Sequence, residues 1–165
     1  MEYGTLSLYR RDPELLTIQN DPTGKDYHAL LDYAFQTCEE FQLVVRTDIL
    51  QYQDSFTDLK EWFGESFTEV HKQHEWPSTN LFDDKATVYY FKTTDEAKQI
   101  LKEKADSFFQ WLHPELPEDL CFFKDGEAWL SSSSELKELY IYPTSVDETH
   151  AIKGIEGLEV LEVEF

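Results

Sequence analysis

One stretch in the C-terminal half of the chain restricts the fold more than any other, because it has the pattern of three consecutive short strands. An apolar run at 120–123 precedes the pair Asp125-Gly126, and further strand-like runs follow at 127–132 and 139–142. An Asp-Gly pair between β-rich runs favours a hairpin, since glycine tolerates the positive φ of a primed turn. We therefore predict antiparallel strands here. The stretch contains no recognisable catalytic motif.

The remaining chain alternates helical and strand-like patterns. Helix spacing of apolar residues predicts a helix over 26–40, and Thr94 caps a second helix whose apolar face reaches Leu112. β-branched and aromatic residues predict strands over 41–47 and 86–92. Residues 54–74 carry a helical stripe that Gly64 interrupts, so we predict a helix with a break there. Alternating residues predict a last strand within 158–165.

Two segments leave more than one interpretation. Residues 5–10 fit either a short strand or the first turn of a helix that runs to Leu16, and Asp12-Pro13 suits a helix start. Residues 143–147 read as a turn. Together the pattern predicts a single α+β domain over 1–165, a mainly antiparallel sheet with helices packed on one face.

Charge restricts the partners that this chain can have. Its 34 acidic and 14 basic residues give a formal net charge of −20. A field of that sign repels phosphates and anionic lipids, so we expect neither nucleic-acid nor membrane binding and favour a basic protein partner. Solubility alone also explains such a charge. The chain opens without a basic segment followed by an apolar one, which predicts a cytoplasmic protein.

The two cysteines are far apart in the sequence. Cys38 falls on the apolar stripe of the first predicted helix, and Cys121 lies inside an apolar strand. Free cysteine is among the most buried residue types, so we predict two buried thiols. The sequence leaves open a disulfide between them.

Patterns that carry chemistry are weak. His71 and His74, with Glu69 or Glu75, could bind zinc on one helix face. A metal-dependent hydrolase is therefore one alternative function. An accessory protein without activity of its own is another. The spacing is not His-Glu-x-x-His, and solvated side chains near a helix end explain it as well. The four serines at 131–134 lack a nucleophile elbow and fit a polar bend. We predict no catalytic residue, metal or cofactor.

Aromatic residues are better candidates for function than these patterns. Trp76, beside a proline, and Trp129, on the hairpin, are predicted to be exposed anchors of a binding surface, because aromatic side chains anchor interfaces and carboxylates steer basic partners. The predicted partner-binding residues are Trp76, Asp83, Asp84, Asp125, Glu127, Trp129 and Tyr142.

The chain also resembles a group of small acidic proteins of Gram-positive, spore-forming bacteria. The similarity lies in Leu-Tyr-Arg-Arg-Asp at 8–12, in Leu-Pro-Glu-Asp-Leu-Cys-Phe-Phe at 116–123, in Asp125-Gly126 and in Trp129-Leu130. Some members of that group are encoded beside secreted toxins, so the resemblance implies an immunity protein that occludes a basic toxin. The serine run is followed by His-Glu in that group, whereas Glu135 follows it here. The resemblance identifies no catalytic residue.

Overall fold

The computed structural model describes residues 15–163, and these residues build one eight-stranded antiparallel sheet with a small two-stranded hairpin beside it. The helices are α1 (Lys25–Thr37), α2 (Leu59–Phe63), α3 (Asp95–Lys104) and α4 (Val146–Lys153). The strands of the main sheet are β1 (Leu15–Ile18), β2 (Glu40–Val45), β3 (Phe67–Gln73), β6 (Ala86–Lys92), β7 (Glu118–Lys124), β8 (Glu127–Ser133), β9 (Glu138–Ile141) and β10 (Val160–Val163). The small hairpin consists of β4 (Glu75–Trp76) and β5 (Thr79–Asn80).

The sheet has the strand order β10-β1-β9-β8-β7-β2-β6-β3. Register places Phe41, Phe91 and Phe122 side by side on one face, and Leu130 continues the same row. These residues are fully buried against apolar side chains of all four helices. The α+β class, the antiparallel sheet and the helices on one face are therefore as predicted.

A smaller apolar cluster occupies the opposite face. Val44, Ala86 and Val88 pack there against Trp76 of β4. The β4–β5 hairpin thus covers the part of this face where β2 ends and where β6 and β7 begin. We call this part of the sheet the Arg46 end, after the residue that follows β2. The Asp125-Gly126 turn lies at the other end of β7, and we call that the hairpin end.

Local signals account for the elements that were predicted well. Asp125 and Gly126 have φ values of 52° and 82°, the two positive values that a primed two-residue turn requires. The Thr94 hydroxyl accepts a hydrogen bond from the Ala97 N–H and caps α3 as expected. Helix α1 and strands β2 and β6 lie where their patterns placed them. The last strand, β10, falls within its predicted range.

Three predictions about where helices lie were wrong, and one of two open alternatives is excluded. Residues 67–73 form the edge strand β3 and not the second half of a helix, so within 54–74 only α2 and a 3₁₀ turn at Gly64–Ser66 are helical, and α2 ends at the predicted break at Gly64. Helix α3 ends at Lys104, well before Leu112. Residues 15–18 form β1, so no helix runs to Leu16; residues 5–10 and Asp12-Pro13 lie outside the described residues. Residues 143–147 were predicted to form a turn, but α4 begins within them at Val146. The Ser145 hydroxyl caps this helix by accepting a hydrogen bond from the Glu148 N–H.

Two further expectations concern the two cysteines and the serine run. Cys38 and Cys121 are both free and both buried, so they do not form the disulfide that the sequence left open. Ser131 to Ser133 belong to β8 and do not form a bend. Ser132 Oγ donates to the Leu120 carbonyl and Ser134 Oγ to the Phe108 carbonyl, which gives both hydroxyls a structural role. Among residues 15–163, no helix has the length and apolarity to span a membrane.

Candidate functional site

Buried charged residues gather at the Arg46 end of the sheet. Glu118 and Asp119 are only 5% and 3% exposed, although carboxylates are seldom buried without a partner. Antiparallel pairing of β2 with β7 sets Glu118 beside Val44, and so brings it close to Arg46. The Arg46 Nη1 atom lies 3.7 Å from Glu118 Oε1.

A β-bulge explains the position of Asp119. Between the pairs Gln42–Cys121 and Val44–Glu118, strand β7 has two residues where β2 has one. Asp119 takes the left-handed conformation, with φ of 56°, which aspartate tolerates better than most residues. The bulge turns the side chain of Asp119 towards the β4–β5 hairpin.

Asp119 joins three separate segments of the chain. Its Oδ2 atom accepts a 2.8 Å hydrogen bond from Trp76 Nε1 and a 3.3 Å bond from Ser78 Oγ. Its Oδ1 atom accepts from the Ser134 N–H at 3.1 Å. Burial raises the pKa of Asp119, and these donors oppose that rise. The carboxylate therefore serves mainly to fix the hairpin on the sheet.

Arg46 is largely committed to a neighbour in its own loop. Its guanidinium donates two hydrogen bonds, of 2.9 and 2.8 Å, to the Asp48 carboxylate. Burial disfavours the charged form of Asp48, but the paired guanidinium outweighs this effect and lowers the pKa of Asp48. Because Arg46 is already paired in this way, it neutralises Glu118 only in part. Burial raises the pKa of Glu118 to about 7, the adjacent Asp119 adds to the rise, and Arg46 opposes it.

His113 completes the cluster. Its ring stacks on Tyr52 with centroids 4.4 Å apart, and Phe56 contacts it from another side. The Arg46 backbone N–H donates to His113 Nε2 at 3.0 Å, so that nitrogen carries no proton. Burial, reinforced by the Arg46 charge, lowers the pKa of His113 to about 4. The ring is therefore neutral near pH 7, with its proton on Nδ1.

Two adjacent cavities open beside this cluster, and Arg46, Glu118 and Glu135 line both of them. The Ser78 cavity has a volume of about 320 Å³, and its other lining residues are Ser78, Thr79, Asn80, Asp119, Ser133 and Leu136. The Tyr52 cavity has a volume of about 330 Å³, and its other lining residues are Ile49, Gln51, Tyr52, Leu112 and His113. Both volumes fall at the small end of the range found for ligand pockets.

Three large and strongly exposed apolar residues belong to the chain segments that border the cavities. Leu50, Phe82 and Leu136 are 80%, 76% and 65% exposed. Leu136 lines the Ser78 cavity, Leu50 lies between two lining residues of the Tyr52 cavity, and the Phe82 N–H donates to Asn80 Oδ1. Phe82 also has a φ of 63°, an unusual conformation for a bulky residue. We call Leu50, Phe82 and Leu136 the apolar rim.

The predicted binding residues do not form one surface. Trp76, Asp83 and Asp84 lie at the Arg46 end, whereas Asp125, Glu127, Trp129 and Tyr142 lie towards the hairpin end. The seven residues of β7 separate the two groups by roughly 20 Å, at about 3.3 Å per residue. The four predicted carboxylates are exposed, as a steering surface requires.

The prediction that Trp76 and Trp129 are exposed anchors was wrong. They are only 6% and 1% exposed. Trp76 packs on the sheet and donates to Asp119, while Trp129 donates its indole N–H to Glu148 Oε1 at 2.8 Å. Tyr142 is half-buried, and its backbone N–H donates to the Trp129 carbonyl. Both tryptophans therefore stabilise the fold and cannot make first contact with a partner.

The histidine pair also differs from its prediction. His71 lies on the exposed edge strand β3 and contacts Glu69 at 2.6 Å, and His74 follows that strand. Within residues 15–163, no three His, Cys, Asp or Glu side chains are grouped in a way that could hold a metal ion. The residues that sequence reasoning missed are Arg46, His113, Glu118 and Asp119. Of these four residues, only Glu118 and Asp119 lie within a stretch that the sequence analysis had singled out, residues 116–123.

No family model, curated protein or solved structure matches this chain. The resemblance to small acidic proteins of spore-forming bacteria therefore stays a prediction. What supports a function is the geometry and charge of the Arg46 end.

Proposed function

We propose that this protein is a non-enzymatic binding protein that uses the Arg46 end of its sheet to dock a basic protein partner. One observation carries the proposal: the residues of the apolar rim lie among, or within two residues of, residues that line two cavities with carboxylates in their walls. Scattered exposed apolar residues are ordinary, but here three strongly exposed ones lie within two residues of residues that line the cavities. Protein interfaces combine apolar anchors with charged residues in this way.

Electrostatics favours a basic partner over other classes. Asp83 and Asp84 lie exposed next to Phe82, and Glu135 lies exposed next to Leu136. With a net charge of −20 behind them, these carboxylates attract a cationic surface before contact. Docking then buries the apolar rim and excludes water from the charge pairs, which strengthens them.

Within this class we propose an immunity protein that acts in the cytoplasm and occludes a basic toxin such as a nuclease. The resemblance described above and the charge support this assignment. Occlusion needs no cofactor, because the complex blocks the toxin's own site. The metal-dependent hydrolase has no comparable support, since His71 lies on an exposed edge strand, His74 follows that strand, and neither belongs to a group within residues 15–163 that could hold a metal ion.

Affinity capture with two matched variants tests the proposal. The rim variant carries serine at Leu50, Phe82 and Leu136, and the control variant carries serine at three other exposed apolar residues, Val70, Val146 and Leu161. Each protein is immobilised, exposed to lysate of the encoding organism at about 0.15 M salt and eluted near 1 M, where screening is much stronger.

We expect a basic protein to elute from the wild-type and control columns and to be missing from the rim column. Circular dichroism and thermal unfolding check that all three proteins are folded. Equal capture by the rim variant would contradict the proposed docking surface.

A further inference from the structure

Strand β3 forms one edge of the main sheet. Among residues 15–163 it has a neighbouring strand, β6, on one side only. Residues 68–72 are all exposed, and the side chain of Val70 is the one large apolar group among them, with 39% of the residue exposed. The backbone N–H and C=O groups on the outer side of an edge strand are able to pair with a further strand.

The charge of β3 indicates which kind of strand fits beside it. Residues 67–73 contain one acidic residue, Glu69, and one basic residue, Lys72, so their formal charge is zero with histidine neutral. The whole chain, in contrast, has a net charge of −20. A basic partner is therefore attracted to other parts of the surface, whereas β3 suits a strand without net charge. A second copy of β3 is such a strand.

Backbone geometry restricts how two copies of β3 can pair. The N–H and C=O groups of one residue point to the same side of a strand, and those of the next residue point to the other side. The two-fold axis of an antiparallel pair must therefore pass through a residue position. Regular pairing with β6 begins at Glu69, after an irregularity that follows Phe67. An axis at Glu69 would set two carboxylates opposite each other, and like charges in that position destabilise a sheet.

An axis at Val70 gives complementary pairs instead. It sets each Glu69 opposite His71 of the other copy, and it sets Val70 opposite its own equivalent. Within one copy, Glu69 Oε1 contacts His71 Nε2 at 2.6 Å. A carboxylate has two oxygens and an imidazole has two nitrogens, so this contact leaves one of each for a contact between the copies. An axis at His71 would set Glu69 opposite Gln73 and pair no charged group with an ionisable one.

We propose that two copies of this protein associate through antiparallel pairing of their β3 strands, with Val70 on the two-fold axis and each Glu69 beside His71 of the other copy. The two eight-stranded sheets then continue into one another. This inference goes beyond the proposed function, because it concerns contact between two copies of the chain and not the basic partner.

Sedimentation velocity of the wild-type protein between about 1 µM and 1 mM measures the association. We expect an equilibrium of monomer and dimer within this range, because the pairing of one short strand buries little area. Two copies with a charge of −20 repel each other, so the dimer should tighten several-fold when salt is raised from about 0.05 M to 0.5 M. Binding of a basic partner should weaken over the same change, which keeps the two proposals distinguishable.

A charge placed on the proposed axis tests the surface. Val70→Lys sets two ammonium groups opposite each other and removes the apolar contact, so it should weaken the dimer about 5-fold or more. Leu161→Lys is the matched control. It makes the same change of charge on β10, the other edge strand of the described sheet, at a residue that is 47% exposed, and it should leave the dimer unchanged. Thermal unfolding checks that both variants are folded.

Disulfide trapping tests the register. Residues directly opposite each other have Cβ atoms about 4.5–5.5 Å apart, close to the spacing in a disulfide, so Val70→Cys should form a covalent dimer under mild oxidation. In Lys72→Cys each new thiol lies opposite Thr68 of the other copy, and the two thiols are four residues apart, or about 13 Å. This variant should not be trapped. The native Cys38 and Cys121 are buried and so do not interfere.

Three outcomes would overturn the inference. The wild type could stay monomeric at every concentration and at both salt concentrations. Val70→Lys and Leu161→Lys could weaken a dimer equally, or Lys72→Cys could be trapped as readily as Val70→Cys. Capture that ignores the apolar rim would remove the proposed docking surface and leave the dimer unaffected.

Discussion

Glu118 and His113 line the same cavity, and their pKa values are displaced in opposite directions. The pKa of Glu118 rises from 4.5 to about 7, so between these values the folded protein holds a proton that the unfolded chain releases. The pKa of His113 falls from 6.5 to about 4, so there the unfolded chain holds a proton that the folded protein lacks. Each displacement makes the free energy of unfolding change by about 1.4 kcal/mol per pH unit.

The two effects have opposite signs and nearly cancel between pH 4.5 and 6.5. The contribution of Glu118 is fully present below pH 4.5 and is lost as the pH rises to about 7. The contribution of His113 is fully present above pH 6.5 and is lost as the pH falls to about 4. In the wild type we therefore expect little net pH dependence from this pair.

Single substitutions should expose the opposing slopes. Glu118→Gln leaves the His113 effect, so stability should rise with pH, by about 3 kcal/mol in total across the window. His113→Gln keeps an acceptor for the Arg46 N–H and leaves the Glu118 effect, so stability should fall by about the same amount. The two slopes should differ by about 2.7 kcal/mol per pH unit, and groups common to both variants cancel in this difference.

Urea unfolding followed by tryptophan fluorescence, at steps from pH 4.5 to 6.5, measures these slopes. Glu127→Gln serves as the control for removal of an exposed carboxylate. Parallel pH dependence in the two variants would refute the reasoning. That result would mean that the proton resides on His113 and that Glu118 is ionised in the folded protein.

Other side chains give further predictions. Trp76→Phe keeps an aromatic ring but removes the donor to Asp119, so unfolding in urea should become easier by about 1–3 kcal/mol. Burial raises the pKa of the Cys38 and Cys121 thiols, so a thiol reagent monitored by absorbance should label neither one until the protein is unfolded. Burial opposes ionisation of Glu148, but Lys124 and other donors outweigh it and lower the pKa of Glu148. Stability should therefore fall below about pH 4.5 in acid titrations, and less steeply in Glu148→Gln.

Elements set by short-range signals were predictable from the sequence. The Asp125-Gly126 turn depends on two neighbouring residues, and α1 depends on a stripe within one helix. Strand β3 was not predictable, because it is an edge strand with both faces largely exposed and so shows no alternation. Helix α4 did carry a signal, the capping sequence from Ser145 to Glu148, which the preceding proline obscured.

The candidate site was predictable only in part. The acidic character and the exposed carboxylates Asp83 and Asp84 follow from composition and turn chemistry. Burial of Asp119 does not, because it needs a bulge in β7 and a tryptophan that lies 43 positions away along the chain. Trp76 was selected for function, but its indole holds the hairpin in place. Long-range packing therefore decides which polar residues meet here.

The central claim is that the partner docks at the Arg46 end, and charge reversal at each end of the sheet tests it most directly. Asp83→Lys with Asp84→Lys, and Asp125→Lys with Glu127→Lys, both change the net charge from −20 to −16. The two variants therefore differ only in where the charge is changed. Association with the captured partner is measured at about 0.05 M and 0.3 M salt.

We predict that the first variant associates several-fold more slowly at low salt and shows a weaker salt dependence. The second variant should stay close to the wild type, because its lysines lie about 20 Å from the docking site and are screened. Equal effects of the two variants, or a larger effect at Asp125 and Glu127, would contradict docking at the Arg46 end.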